Sequence, residues 1–147
     1  MRIKMRDVPE MVKMLDANVV RINKITNALD GGCCFIAAMI AAFLEDLGVP
    51  YKVACYIHAG ADTDSIWTAA KDENLAHVSI IVDGTELGGD INHLMSSAHV
   101  QKKIVRLSSD ELWSLYDDNT WNEAFKPDEE EVENMLNDFF DEVPKMF

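Results

Sequence analysis

The chain is short of basic residues and has no long hydrophobic run. It carries 13 Lys and Arg against 26 Asp and Glu in 147 residues, a formal net charge of −13. Because an acidic surface repels phosphate backbones, general nucleic-acid binding is not expected. No run of about 18 apolar residues occurs, so neither a transmembrane helix nor a membrane partner is predicted.

Cysteine is also scarce, with Cys33, Cys34 and Cys55 the three in the chain. The beginning, MRIKMRDVPEM, has basic residues but no apolar segment behind them, unlike a secretory signal. Adjacent cysteines have poor geometry for pairing with each other, and an odd count without a signal favours reduced thiols. These observations predict a cytoplasmic protein without disulfides.

The length and the 48% hydrophobic content fit a single domain spanning residues 1–147. The acidic excess is uneven, because residues 110–147 hold thirteen acids against Lys126 and Lys145 alone. Such a segment is usually a solvated helical face that favours solubility. The alternative is a docking surface for a basic protein partner.

Two helices are predicted in the first third of the chain. Apolar residues recur at steps of three and four over residues 7–25, which indicates an amphipathic helix. Residues 33–47 begin with a segment that is apolar on every side and poor in β-branched residues, which is typical of a helix buried all round. Gly48 is a natural end for this helix.

Strands are predicted next, on alternation and on β-branched and aromatic content. Asp83-Gly84 is a strong two-residue hairpin turn. The polar stretch 58–74 is expected to be a long surface loop. The strands are expected at residues 51–57, 77–82, 85–87 and 102–107.

Two further helices are predicted near the end of the chain. Ser108 or Ser109 can cap the first, with Glu111 completing a capping box with Ser108. Pro127 opens the second, which has an apolar face. The predicted class is therefore α+β, with a central buried helix packed on a small antiparallel sheet and additional helices at both ends.

A candidate nucleophile lies at the start of the buried helix. A thiol becomes nucleophilic when it is deprotonated, and a helix N-terminus or an imidazole lowers its pKa. Cys33 follows Gly31 and Gly32 and begins the helix. The free amides of the first turn, that of Cys34 among them, are candidate donors to an oxyanion.

The imidazole and the carboxylate of a triad are expected across the hairpin. His77 begins a strand that is predicted to lie against the buried helix. Asp90 follows the return strand, so the two residues are expected to be neighbours, with Asn92 as the alternative group that orients the imidazole. The chain order of the candidate triad is Cys33, His77, Asp90.

The segment GGCCFIAAMIAAFLEDLGVPYKVACY resembles the nucleophile helix of transglutaminase-like and papain-like proteins. Those helices have a cysteine, an alanine four residues later and a glycine about fifteen later, and Cys33, Ala37 and Gly48 match that register. HVSIIVDGTELGGD is similar to their histidine strand, hairpin and acid. The resemblance covers residues 31–90 and implies a papain/transglutaminase-like domain with the order Cys, His, Asp.

The sequence also departs from those families. The aromatic-rich segment that follows the histidine of true transglutaminases is missing, so protein crosslinking is not implied. Papain-like enzymes have an aromatic residue directly after the nucleophile, a register that selects Cys34 before Phe35. They also have an oxyanion-binding glutamine six residues upstream, and counting back from Cys33 gives Asn27, a similar amide. Helix register favours Cys33, with Cys34 as the alternative.

Metal and cofactor sites are not predicted. Cys55 and His58 have a ligand-like spacing, but on a strand that spacing points the two side chains to opposite faces. No second pair of this kind completes a zinc site with His93 or His99.

The expected function is therefore that of a thiol-dependent enzyme that cleaves or transfers an acyl bond, in particular an amide or peptide bond. Its expected substrate is a peptide or a protein. Peptidase, deamidase and acyltransferase share this machinery, and the sequence does not separate them. The alternative is a non-catalytic binding or regulatory protein on the same fold, acting through its acidic C-terminal helices.

Overall fold

The computed structural model describes residues 2–26, 32–58, 65–89, 100–118 and 122–147. Two α-helices, then four strands with one short helix among them, then three further α-helices follow each other along these ranges, so the α+β class is confirmed. The helices are α1 (Val8–Ile25), α2 (Cys33–Leu47), α3 (Ile66–Lys71), α4 (Ser109–Asp118), α5 (Asn122–Phe125) and α6 (Glu129–Met146). The strands are β1 (Lys52–His58), β2 (Leu75–Val82), β3 (Thr85–Glu86) and β4 (Val100–Val105).

The sheet has the order β3-β2-β1-β4, and every neighbouring pair in it is antiparallel. Asp83 and Gly84 join β2 to β3 with φ angles of 50° and 76°. Positive φ at both central residues is the signature of the type I′ turn, whose twist suits a tight hairpin. The hairpin predicted from the Asp-Gly pair is confirmed.

Helix α2 is the centre of the core. Residues on all sides of it are buried, and it contacts β2 of the sheet together with α4 and α6. Gly48 ends it with φ 75°, a left-handed conformation in which glycine carries no steric penalty. The helix is 15 residues long, and no helix within the described ranges combines the length and apolarity needed to traverse a bilayer.

The start of α4 is as predicted, but the rest of the C-terminal segment differs in part. Pro127 lies in a short 3-10 helix (Lys126–Asp128), α6 begins after it at Glu129, and the short helix α5 was not predicted. The Ser108 N–H donates to Glu111 Oε1 (3.0 Å) and the Glu111 N–H donates to Ser108 Oγ (3.1 Å), so Ser108 forms the capping box of α4. Helix α6 packs on the core through its apolar face, and the Phe43 ring of α2 stacks on Phe140 at a centroid distance of 4.3 Å.

The prediction of one long loop over residues 58–74 is wrong for part of that stretch. Helix α3 occupies Ile66–Lys71, and the Ser65 hydroxyl caps it by accepting the Trp67 N–H at 3.2 Å. The helix is too short for its apolar spacing to repeat, so periodicity does not reveal it. The strands also differ in extent, because β2 begins at Leu75 and β4 begins at Val100, two residues before the predicted starts.

Candidate functional site

Cys33 is the first residue of α2, and its side chain is half-buried. The first N–H groups of a helix have no carbonyl partner within the helix and carry a partial positive charge. The first turn of α2 contains no acidic residue that would offset this charge. The Cys34 N–H is one of the groups that lower the pKa of Cys33, as expected for a sulfur at the positive end of its own helix.

His77 lies in β2, two residues after its start, and its side chain is hydrogen-bonded to the Cys33 sulfur. β3 pairs with Ile81 and Val82, at the end of β2. No described strand pairs with the earlier residues of β2, which include His77 and Val78, on this side of the sheet. The Val78 N–H also donates to the Cys33 sulfur. The structure thus brings together two members of the predicted triad.

The surroundings of Cys33 favour its thiolate. Burial alone disfavours the charged form, but the hydrogen bond and the positive charge of His77, with the N–H groups of Val78 and Cys34, outweigh that penalty. The pKa of Cys33 is therefore lowered from the ordinary value of a thiol.

The other two thiols have the opposite environment. Cys34 is fully buried, its sulfur contacts the Leu112 carbonyl oxygen of α4 at 3.4 Å, and burial followed by the nearby Cys33 raises its pKa well above the ordinary value. Burial, and then the charge of Cys33, raises the pKa of Cys55 to about 12. Of the three cysteines, Cys33 alone has a lowered pKa, which is the condition for a nucleophilic thiol.

A polar network lies beside His77. His77 and Tyr56 are cross-strand partners, and their rings are 5.4 Å apart between centroids. The Tyr56 hydroxyl donates to the Glu86 carboxylate, which also accepts from the Ser79 hydroxyl at 2.7 Å and from Lys102 Nζ at 2.6 Å. The network holds the Tyr56 ring, and that ring supports one side of the imidazole.

Folding shifts the pKa values of Glu86 and Tyr56 in this network in opposite directions. Burial opposes ionisation of Glu86, but the three donors, Lys102 first among them, hold the pKa of that carboxyl below its usual range. Burial and then the adjacent Glu86 raise the pKa of Tyr56 to about 12. Sequence reasoning did not identify Glu86, although a two-residue turn at Asp83-Gly84 already implies that Glu86 faces Ile81.

The remaining predicted site residues lie outside the described residues. These are Asn27, predicted for the oxyanion, and Asp90, predicted to orient His77; Asn92, His93 and His99 lie outside as well. Both roles stay predictions. The last described residues before Asp90 are fixed near the site, because the Gly88 N–H donates to Asp16 Oδ1 of α1 at 2.9 Å.

A narrow pocket opens beside the Cys33–His77 pair, between α1, α2 and β2. In the part of the chain that the structure describes, no three His, Cys, Asp or Glu side chains converge as a set of metal ligands. A scan against protein-family models, a search of curated proteins and a search of solved structures each gave no match to this chain.

Proposed function

We propose that this protein is a thiol-dependent acyl enzyme with a papain/transglutaminase-like core. The observation that supports this function best is the hydrogen bond between the Cys33 sulfur, at the N-terminus of a buried helix, and the His77 imidazole on the adjacent strand. A lowered thiol pKa at a half-exposed position is the condition for nucleophilic catalysis.

The Cys33 thiolate attacks the carbonyl carbon of an amide or ester, and a C–S bond forms. His77 then gives its proton to the leaving amine or alcohol as the original C–N or C–O bond breaks. Water or an amine attacks the thioester while His77 takes up its proton, and the C–S bond breaks to release the product. Asp90 is proposed to orient the imidazole, with the first-turn amide of Cys34 and the Asn27 side chain as donors to the oxyanion.

The order of elements supports the same proposal. A cysteine at the start of the central helix, a strand, and a histidine on the neighbouring antiparallel strand follow each other along the chain. The substrate is proposed to be a peptide or protein, which either carries the acyl group or accepts it through an amine. Peptidase, deamidase and acyltransferase reactions proceed through the same thioester.

Acylation by p-nitrophenyl acetate tests this function. We expect a burst of p-nitrophenolate close to one equivalent per protein, and an acetyl group on the peptide that contains Cys33. The Cys33→Ser variant is expected to lose the burst, whereas Cys55→Ser, the matched change at a buried thiol, should keep it. Acetylation spread equally over the three cysteines, or a burst that survives in Cys33→Ser, would refute the proposal.

A further inference from the structure

We infer that the pocket beside Cys33 is an acyl-group subsite for a short, uncharged acyl chain of about acetyl size. This inference rests on the proposed function, because it assigns the substrate class of the same site. The pocket has a volume of about 20 Å³. One water molecule needs a cavity of roughly 10 to 15 Å³, so the pocket has room for about one methyl-sized group.

The walls of the pocket belong to the hydrophobic core. Val19 of α1 is 4% exposed, and Ile36 and Ile40 of α2 are 5% and 1% exposed. Leu87, just after β3, is 3% exposed and is fixed by a 2.8 Å hydrogen bond from its N–H to the Ile80 carbonyl. Because core side chains are close-packed in well-defined rotamers, these walls resist displacement by a bulky chain.

Besides Cys33 and His77, the polar residues that line the pocket are Asn23, Ser79 and Gly88, and the last two are hydrogen-bonded to other groups. The Ser79 hydroxyl donates to Glu86, and the Gly88 N–H donates to Asp16. Among the described residues that line the pocket, none has a charged side chain other than the Cys33–His77 pair. A charged acyl chain would lose its hydration there without gaining a counter-charge, which is strongly unfavourable.

The pocket adjoins the sulfur, so it receives the group attached to the attacked carbonyl. With an ester, the thiolate forms the C–S bond, the C–O bond breaks, and the alcohol leaves with the proton from His77. The small acyl chain then occupies the pocket as a thioester on Cys33. Water attacks the thioester, His77 accepts a proton from the water, and the carboxylic acid is released as the C–S bond breaks.

A series of p-nitrophenyl esters tests the inference. The rate of Cys33 acylation would be compared for four esters: acetate, butyrate, hexanoate and the charged hemisuccinate. Alkylation of Cys33 by iodoacetamide would serve as the measure of thiol reactivity. One methylene in an apolar pocket changes a rate by roughly 10-fold or more. We therefore expect acetate to react at least about tenfold faster than hexanoate and the hemisuccinate, after correction for their uncatalysed thiolysis.

Enlarging the pocket should change this preference. Val19→Ala removes part of the α1 wall and is expected to raise the butyrate-to-acetate ratio several-fold. Val12→Ala is the matched control, because Val12 is equally buried in α1 at 3% exposed but does not line the pocket. Ile36→Val, a milder change in the α2 wall, should move the ratio in the same direction and keeps the test valid if Val19→Ala does not fold.

The outcomes separate this inference from the proposed function. Equal rates for all four esters, or the same shift in Val12→Ala as in Val19→Ala, would overturn the acyl-size inference while Cys33 acylation still supports a thiol enzyme. If none of the esters acylates Cys33, both fail. A preference for acetate supports the small-acyl subsite when the butyrate-to-acetate ratio also rises in Val19→Ala and Ile36→Val but not in Val12→Ala.

Discussion

Cys33 and Cys34 are adjacent in the sequence but have opposite chemical surroundings. Successive residues of an α-helix point about 100° apart, so one sulfur lies against β2 and the other against α4. Hydrogen bonds and the charge of His77 stabilise the thiolate of the first, and burial suppresses ionisation of the second. The choice between them depends on helix rotation, which the sequence alone leaves open.

The proximity of Cys33 and His77 could be predicted from the sequence, whereas the contacts of Glu86 could not. The glycine pair, the apolar helix and the histidine at the start of a hairpin strand each limit where the two side chains lie. The position of Glu86 depends on the register of three strands at once, because Lys102 comes from β4, Tyr56 from β1 and Ser79 from β2. One residue of slip in any strand would break that cluster.

We predict that Glu86→Gln lowers the free energy of unfolding by about 2 kcal/mol. The substitution weakens three hydrogen bonds to a half-buried carboxylate, and one of the three donors, Lys102, is charged. Urea unfolding at neutral pH measures this change. Glu133→Gln, an exposed position on α6, is the matched control, for which we expect a change within about 0.5 kcal/mol. Equal effects of the two substitutions would contradict the account.

The Glu86 carboxylate also makes the free energy of unfolding depend on pH. Because the pKa of Glu86 is lowered by folding, its contribution to stability is complete above the unfolded value of about 4.3 and is lost as the pH falls through the lower folded value. The difference in unfolding free energy between wild type and Glu86→Gln should therefore shrink below about pH 4. A difference that grows on acidification would exclude this assignment.

Among the secondary-structure elements, the two with the strongest local sequence signals were predicted correctly. α2 was predicted by the twelve consecutive apolar residues from Cys33 to Leu44, and the β2–β3 hairpin by the chemistry of its turn. α3 was missed because its six residues contain too little periodicity, and its cap at Ser65 follows a polar stretch without a hydrophobic run. The strand ends were misplaced by two residues because sheet pairing, rather than local propensity, decides where a strand begins.

The capping box of α4 provides an element-scale prediction. Ser108→Ala removes the oxygen that accepts the Glu111 N–H, and the typical cost is about 1 kcal/mol. Thermal or urea unfolding measures it. Ser114→Ala is the matched control, since Ser114 is exposed within the same helix, where alanine is at least as favourable as serine. Loss of stability in Ser114→Ala but not in Ser108→Ala would contradict the assigned helix start.

At the scale of the whole molecule, the net charge of −13 opposes compactness. α6 contributes to this through Glu129, Glu130 and Glu131 in its first turn, where the helix dipole favours them, and through further acids along its length. Ion pairs have the opposite response to salt, but those among the described residues are few. The Lys126–Glu123 and Lys145–Glu142 pairs are exposed and contribute little, which leaves the Lys102–Glu86 pair against a broad repulsion.

Added sodium chloride is therefore expected to raise the melting temperature, because a Debye length of about 10 Å at 0.1 M falls to about 3 Å at 1 M and screens the repulsion. Glu133→Lys, at an exposed position of α6 beyond its first turn, should melt higher at low salt and respond less to added salt. Lys71→Glu, an exposed change of the opposite sign, should respond more. Salt responses that are equal in the three proteins would show that net repulsion does not limit stability.

The pH dependence of Cys33 alkylation by iodoacetamide, followed by peptide mapping in wild type and in His77→Asn, tests whether His77 stabilises the thiolate of Cys33. In wild type the rate should fall only as the pH drops through a value below the roughly 8.5 of a free thiol, because the thiolate persists above its lowered pKa. In His77→Asn the midpoint should move upward, and alkylation near neutral pH should slow several-fold. Identical profiles with a midpoint at or above the ordinary thiol value would contradict the account.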